Sequence, residues 1–131
     1  MGKGENPRLQ MARILVIDDS NFMRRIERQF LESAGHEVED WMPLSAMEIP
    51  ERLVANPVDL IITDLNMPGV NGMTVAKLAM KSAPDIPVVV LTALRNTEIE
   101  AQLAKFKVRR VLHKPISEED LQAAINEILG T

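Results

Sequence analysis

The sequence lacks several features that would assign it to particular protein classes. None of its 131 residues is cysteine, which excludes disulfide frameworks, thiolate nucleophiles and zinc sites built on sulfur. No apolar run approaches the roughly 20 residues of a membrane span, and no apolar signal core is present at the N-terminus. The net charge of −4 leaves no basic excess for nucleic acid. We therefore expect a soluble cytoplasmic protein that binds neither membranes nor, directly, nucleic acid.

The chain has the length of one ordinary domain, which can bury a sizeable core. Residues 1–11 are polar and show no apolar period, and Met11 resembles a second start. This segment is predicted to be a disordered lead, either an extension or an expression remnant. Residues 12–130 are predicted to form the domain.

Short apolar runs of strand length alternate five times with segments whose apolar residues have helical spacing. The predicted strands lie at residues 14–17, 37–39, 60–62, 87–91 and 108–113. The second strand alternates in polarity and is therefore placed at an edge. The pattern predicts an α/β fold, a single doubly wound parallel sheet with helices on both faces.

Helix boundaries are marked by capping residues. Ser20, Asn96 or Thr97, and Ser117 are candidate N-caps of the first, fourth and fifth helices. Pro50 lies within the second helical pattern, where it would remove a backbone hydrogen bond. A short or broken helix is expected there.

Polar residues end four of the predicted strands: Asp18 with Asp19, then Asp64, Thr92 and Lys114. The carboxyl ends of parallel strands meet at one edge, where neighbouring strands are about 4.8 Å apart, so these side chains should converge. Ligands of open α/β sheets bind at this edge, where the strand order reverses.

Three converging carboxylates repel one another and need a cation. A hard divalent ion suits oxygen ligands, and Mg²⁺ is favoured because it is often held by one or two carboxylates, water and a phosphate oxygen. Thr92 and Lys114 can serve the remaining oxygens of a phosphoryl group. The pattern indicates that Asp64 accepts a phosphoryl group.

Simpler interpretations exist for each residue alone. Asp19 can merely cap a helix, Asp64 can be a turn residue, and Thr92 and Lys114 can be ordinary strand ends. A hydrolase on the same sheet would need a glycine-rich phosphate loop or an acid two residues after the nucleophile, where this chain has Asn66.

Four motifs together resemble the receiver domain of response regulators, a two-component signalling family that includes chemotaxis regulators. They are Ile-Asp-Asp-Ser (17–20), Asp-Leu-Asn-Met-Pro-Gly-Val-Asn-Gly (64–72), Leu-Thr-Ala (91–93) and Lys-Pro (114–115). The resemblance extends from about Arg13 to Leu129. It implies a flavodoxin-like five-stranded sheet in the order 2-1-3-4-5.

The resemblance also implies roles for these residues. Asp64 corresponds to the phosphorylated aspartate, Asp18 and Asp19 to the magnesium-binding acids, and Asn66 to the position whose backbone carbonyl completes the metal site. Thr92 corresponds to the hydroxyl that moves to contact the phosphoryl group.

Lys114 corresponds to the lysine that pairs with the phosphoryl group, and the bond from it to Pro115 is usually cis in this family. Family members usually carry an aromatic residue three positions before this lysine, but here that residue is Val111.

The implied phosphodonor is a sensor histidine kinase, a phosphotransfer protein or a small molecule such as acetyl phosphate. The chain is then a signalling phosphoacceptor limited to self-phosphorylation and autodephosphorylation, not a conventional enzyme. Its output is expected to be contact with an unknown downstream protein, or with a second copy of itself, through the fourth helix, last strand and last helix. The alternative is a pseudo-receiver, a binding module that signals without phosphorylation.

Overall fold

The computed structural model of the protein describes residues 11–130. The predicted lead lies outside the described residues except for Met11, which is exposed, and the first strand begins at Arg13. The domain boundary at residue 12 stays a prediction. No helix within residues 11–130 has both the length and the apolar character needed to cross a membrane.

Strands and helices alternate along the described chain, as the sequence predicts. The strands are β1 (Arg13–Ile17), β2 (Glu37–Trp41), β3 (Leu60–Asp64), β4 (Asn66–Met67), β5 (Val70–Asn71), β6 (Val88–Thr92) and β7 (Val108–His113). The helices are α1 (Asn21–Ser33), α2 (Glu48–Ala55), α3 (Gly72–Ser82), α4 (Thr97–Lys105) and α5 (Glu118–Ile128).

Five strands form one parallel sheet in the order β2-β1-β3-β6-β7. β4 and β5 form a separate two-residue antiparallel hairpin after β3. Without that hairpin the order is 2-1-3-4-5, so the predicted flavodoxin-like fold is confirmed. The predicted edge position of β2 is also confirmed. The strand order reverses beside β1, and its neighbour β3 ends at Asp64.

Two layers of apolar side chains cover the sheet. Along β1, Ile14 and Val16 pack on one face with Leu31 of α1, while Leu15 and Ile17 pack on the other. α1 and α5 cover the first face, and α2 and α3 cover the second. Both faces of the central strands are therefore buried, which explains why their sequences are apolar throughout.

The predicted N-caps are present. The side-chain oxygen of each accepts a hydrogen bond from a backbone N–H three residues later, and the three residues are Ser20, Asn96 and Ser117. The predicted short second helix is confirmed, but the expected break at Pro50 is wrong, because α2 runs unbroken from Glu48 to Ala55. Pro50 is the third helical residue, and N–H groups of the first turn have no intrahelical acceptor to lose.

The core interpretation predicts unequal costs for the same substitution at two leucines. Leu31 is fully buried, whereas Leu44 is 92% exposed. Leu31→Ala should lower the free energy of unfolding by about 2–5 kcal/mol, and Leu44→Ala should change it by no more than about 0.5 kcal/mol. Urea unfolding followed by circular dichroism measures both, and equal costs would contradict the described packing.

Candidate functional site

The polar residues that end the strands lie together at one edge of the sheet. Asp18 follows β1, Asp64 ends the adjacent β3, Thr92 ends β6, and Lys114 follows β7. β1, β3, β6 and β7 are consecutive neighbours, so the order of the strands brings these residues into one site. The convergence expected from the sequence is therefore observed.

Three acids form the negative part of the site. Carboxylate oxygens of Asp18, Asp19 and Asp64 all lie within 4.8 Å of one another. Asp18 is buried, Asp64 is half-buried and Asp19 is exposed. The cluster thus has one solvent-facing side, and its hard oxygen donors are of the kind that Mg²⁺ prefers. Asn66 lies just beyond Asp64 on β4, and its carbonyl stays a predicted ligand.

Lys114 supplies the positive charge. Its Nζ lies 3.1 Å from Asp18 Oδ2 and 3.5 Å from Asp64 Oδ1. Burial acts to lower the pKa of Lys114, but the charges of Asp18 and Asp64 outweigh burial and the pKa is raised. The lysine therefore stays protonated between the two acids. Its peptide bond to Pro115 is cis, as the resemblance implies.

Asp64 is held at the end of β3 in a partly desolvated position. Its Oδ1 accepts a hydrogen bond of 2.8 Å from the backbone N–H of Leu65. Burial raises the pKa of Asp64, Lys114 opposes that effect, and the charge of Asp18 adds to it, so the net shift is upward. Without a further cation, the site is thus less than fully compensated for its negative charge.

Thr92 is buried at the end of β6, the strand next to β3. Its Oγ1 accepts a hydrogen bond of 3.0 Å from the N–H of Leu94, and its carbonyl accepts one of 2.8 Å from the N–H of Lys114. Within the described residues, no hydrogen bond joins the side chain of Thr92 to Asp64. The hydroxyl of Thr92 therefore accepts a hydrogen bond from the loop that leads into α4.

Glu27 is a fourth acid of the site that sequence reasoning missed. It is 2% exposed on α1, its carboxyl group interacts electrostatically with that of Asp18, and its Oε2 has no hydrogen-bond partner among the described residues. Burial and the charge of Asp18 raise the pKa of Glu27 to about 8, although Lys114 acts in the opposite direction. A signal existed in the sequence, because Glu27 lies four residues before the buried Leu31 and so on the same helical face.

Gly72 is a second contributor whose role sequence reasoning missed. A Cβ atom at this position would lie 2.2 Å from the carbonyl oxygen of Asp64 and 2.8 Å from Cα of Leu65. The N–H of Gly72 donates a hydrogen bond of 2.8 Å to the carbonyl of Leu65. The start of α3 therefore packs directly on the backbone that carries Asp64, and only glycine leaves room for this contact.

Comparison with known proteins agrees with this geometry. Residues 14–126 match the family described as "Response regulator receiver domain". The chain belongs to this family. The receiver is 31% identical over 119 residues to the "Response regulator receiver protein CpdR" of Brucella abortus, which covers 91% of this chain and 98% of that protein.

Two chemotaxis proteins are similarly close to this receiver. A "Chemotaxis protein CheY homolog" of Campylobacter jejuni is 31% identical over 129 residues, covering 91% of this chain and 93% of that protein. The structure of the Vibrio cholerae chemotaxis protein CheY4 aligns with a TM-score of 0.80 at 28% identity, covering 90% of this chain and 98% of that chain. Receivers of this family are signalling phosphoacceptors of two-component systems rather than conventional enzymes, and they generally use Mg²⁺ at an acidic pocket.

The raised pKa of Glu27 predicts a pH dependence of stability. The folded state binds the carboxyl proton of Glu27 more tightly than the unfolded state does. The contribution of Glu27 to the free energy of unfolding is therefore fully present below about pH 4.5 and is lost as the pH rises towards about 8. In the presence of a chelator, the free energy of unfolding of the unsubstituted protein should fall over this pH range. Glu27→Gln should make that fall smaller by a few kcal/mol. Urea unfolding at several pH values measures the effect.

Glu32→Gln is the matched control, because Glu32 lies on the same helix with its side chain largely in solvent, paired with Arg28. Its stability curve should run parallel to that of the unsubstituted protein. Parallel curves for Glu27→Gln as well would show that Glu27 does not bind an extra proton in the folded state.

The close approach of Gly72 predicts that adding a methyl group displaces Asp64. Gly72→Ala should lower the free energy of unfolding by about 1–3 kcal/mol, because the backbone at residues 64–65 must move. The amide chemical shifts of these two residues should change. Thr74→Ala, on the exposed surface of the same helix, is the control and should leave them unchanged. A stabilised Gly72→Ala protein would contradict the contact.

Proposed function

We propose that this receiver accepts a phosphoryl group on Asp64 from a sensor histidine kinase, a phosphotransfer protein or a small donor such as acetyl phosphate. One observation carries the proposal: Nζ of Lys114 lies between Asp18 and Asp64 at the edge of the sheet where the strand order reverses. Asp19 completes an acidic cluster open to solvent on one side.

The transfer step follows from the positions of the side chains. A carboxylate oxygen of Asp64 attacks phosphorus and forms the new P–O bond. The bond between phosphorus and the donor's imidazole nitrogen, or the donor's acyl phosphate oxygen, breaks, and its electron pair leaves with the donor. Lys114 donates hydrogen bonds to the phosphoryl oxygens, and the Thr92 hydroxyl can reorient from the Leu94 N–H towards the same oxygens.

Asp18, Asp19, Asp64 and the backbone carbonyl of Asn66 are the residues that we assign to Mg²⁺. The oxygens of the three carboxylates lie within 4.8 Å of one another, and one of the three residues is exposed. This arrangement suits a hard cation that keeps several waters. Bound Mg²⁺ supplies positive charge that offsets the repulsion between the acids and the incoming phosphoryl oxygens.

Phosphorylation changes the partners of Lys114 and Thr92, and we expect this change to shift the population of surface conformations. The face formed by α4, β7 and α5 is the proposed contact surface for a downstream protein or for a second copy of the chain. The only chemistry proposed for the receiver itself is its own phosphorylation and the hydrolysis of the resulting acyl phosphate. We propose that the receiver acts in the cytoplasm and makes no direct contact with nucleic acid.

Intact mass spectrometry after incubation with acetyl phosphate and Mg²⁺ tests the proposal. We expect a mass gain of one phosphoryl group that is lost in Asp64→Asn and strongly reduced by a chelator. The matched control is Asp85→Asn, which changes an exposed aspartate in the turn before β6 and should keep the full gain.

Two other outcomes are informative. No mass gain, together with no change in amide chemical shifts on adding beryllofluoride and Mg²⁺, would favour the phosphorylation-independent pseudo-receiver. Turnover of a phosphorylated substrate without a covalent adduct would favour a hydrolase.

A further inference from the structure

Helix α4 is held to the domain by few buried contacts. Leu103 is its one buried residue, whereas α3 buries four and α5 buries three. Leu103 packs in a small cluster with Leu65 and Val90, to which Val111 adds a half-buried side chain. An element with so little buried apolar surface can move at low cost, so a polar contact that restrains it has a large effect on its position.

One such polar contact joins α4 to the sheet. Nε2 of His113 lies 3.0 Å from Oε2 of Glu100, and both side chains are partly shielded from solvent. In the part of the chain that the structure describes, this is the only side-chain hydrogen bond between α4 and a strand. His113 therefore restrains the first half of α4, together with the apolar contact that Ile99 makes with the same cluster.

His113 is also directly connected to the site. It is the register partner of Thr92 across the β6–β7 ladder, and it immediately precedes Lys114. The N–H of Lys114 donates to the carbonyl of Thr92 at 2.8 Å, which fixes the end of β7 to the end of β6. A backbone movement at Thr92 or Lys114 therefore displaces the backbone that carries the His113 ring.

The side chain at position 113 lies on the α4 side of the sheet. Successive side chains of a strand point to opposite faces, so positions 111 and 113 share a face. Val111 contacts the α4 cluster there, but an aliphatic side chain makes no directional contact that a small shift could break. A hydrogen bond weakens steeply with distance and angle, and the ring of His113 makes such a bond.

From this arrangement we infer that the His113–Glu100 hydrogen bond transmits the phosphorylation state of Asp64 to helix α4. The inference rests on the proposed function. When the side chains of Lys114 and Thr92 turn to the phosphoryl group and draw their backbones with them, the end of β7 moves, the bond to Glu100 is strained or broken, and α4 changes position on Leu103. The bond is either made or broken, and the phosphorylation state of Asp64 determines which of these two arrangements is favoured.

Amide chemical shifts recorded with and without beryllofluoride and Mg²⁺ test the inference. In the unsubstituted protein, we expect shift changes both around Asp64 and along α4. In His113→Ala and in Glu100→Ala, the changes around Asp64 should persist, while those of residues 97–105 should fall to less than half. The double variant should lose no more than either single variant, because both remove the same link.

Two controls separate this link from general weakening of the domain. Arg110→Ala removes an ion pair from the same strand β7 to Glu127 of α5, and the response of α4 should stay complete. Glu100→Gln keeps a side-chain acceptor for the ring and should restore most of the α4 response. A structural effect of the substitution alone would not be rescued in this way.

The outcomes distinguish the two proposals. An undiminished α4 response in both alanine variants, with normal changes around Asp64, overturns the link and leaves the phosphoacceptor function intact. A larger loss in the double variant than in either single variant also overturns it. Absence of any shift change around Asp64 in the unsubstituted protein overturns the proposed function, and the inference with it.

Discussion

The charge balance at the carboxyl edge of the sheet is the constraint on which the rest of the structure depends. Asp18, Asp64 and Glu27 are withdrawn from water to different degrees, and Lys114 is the cation placed among them. Desolvated carboxylates are costly unless they are paired or protonated, and both solutions are used here. One lysine cannot compensate every acid, so the acidic cluster keeps an excess of negative charge that favours a divalent cation.

The scaffold around this edge is unequal in stiffness. β1, β3 and β6 are buried on both faces, and Gly72 allows α3 to pack against the backbone of Asp64, so the proposed phosphoacceptor is set on a rigid support. β7 lies at the edge of the sheet, and α4 beside it buries one residue. Chemistry at a rigid centre next to a loosely held helix is an arrangement in which a small local event can produce a change at the surface.

Several residues show how far the sequence could be interpreted. The convergence of Asp18, Asp64, Thr92 and Lys114 was predictable, because parallel strands place their ends together once the strands are identified. Pro50 was misjudged as a helix breaker, because the effect of a proline depends on where the helix begins. As the third residue of α2 it removes no intrahelical hydrogen bond, whereas a helix that began one residue earlier would lose one. Glu27 was missed because its spacing from Leu31 indicates the buried face of α1 but does not show which carboxylate it meets there.

The sequence by itself determined the α/β class, the number of sheet strands and the strand-end residues of the candidate site, because apolar periodicity and turn residues act locally. The tertiary structure decided what those residues touch. Contacts such as Lys114 with Asp18, Gly72 with the Asp64 backbone, and His113 with Glu100 join separate elements of the chain. They depend on strand register and helix placement, which follow from the packing of the whole domain and not from any single segment.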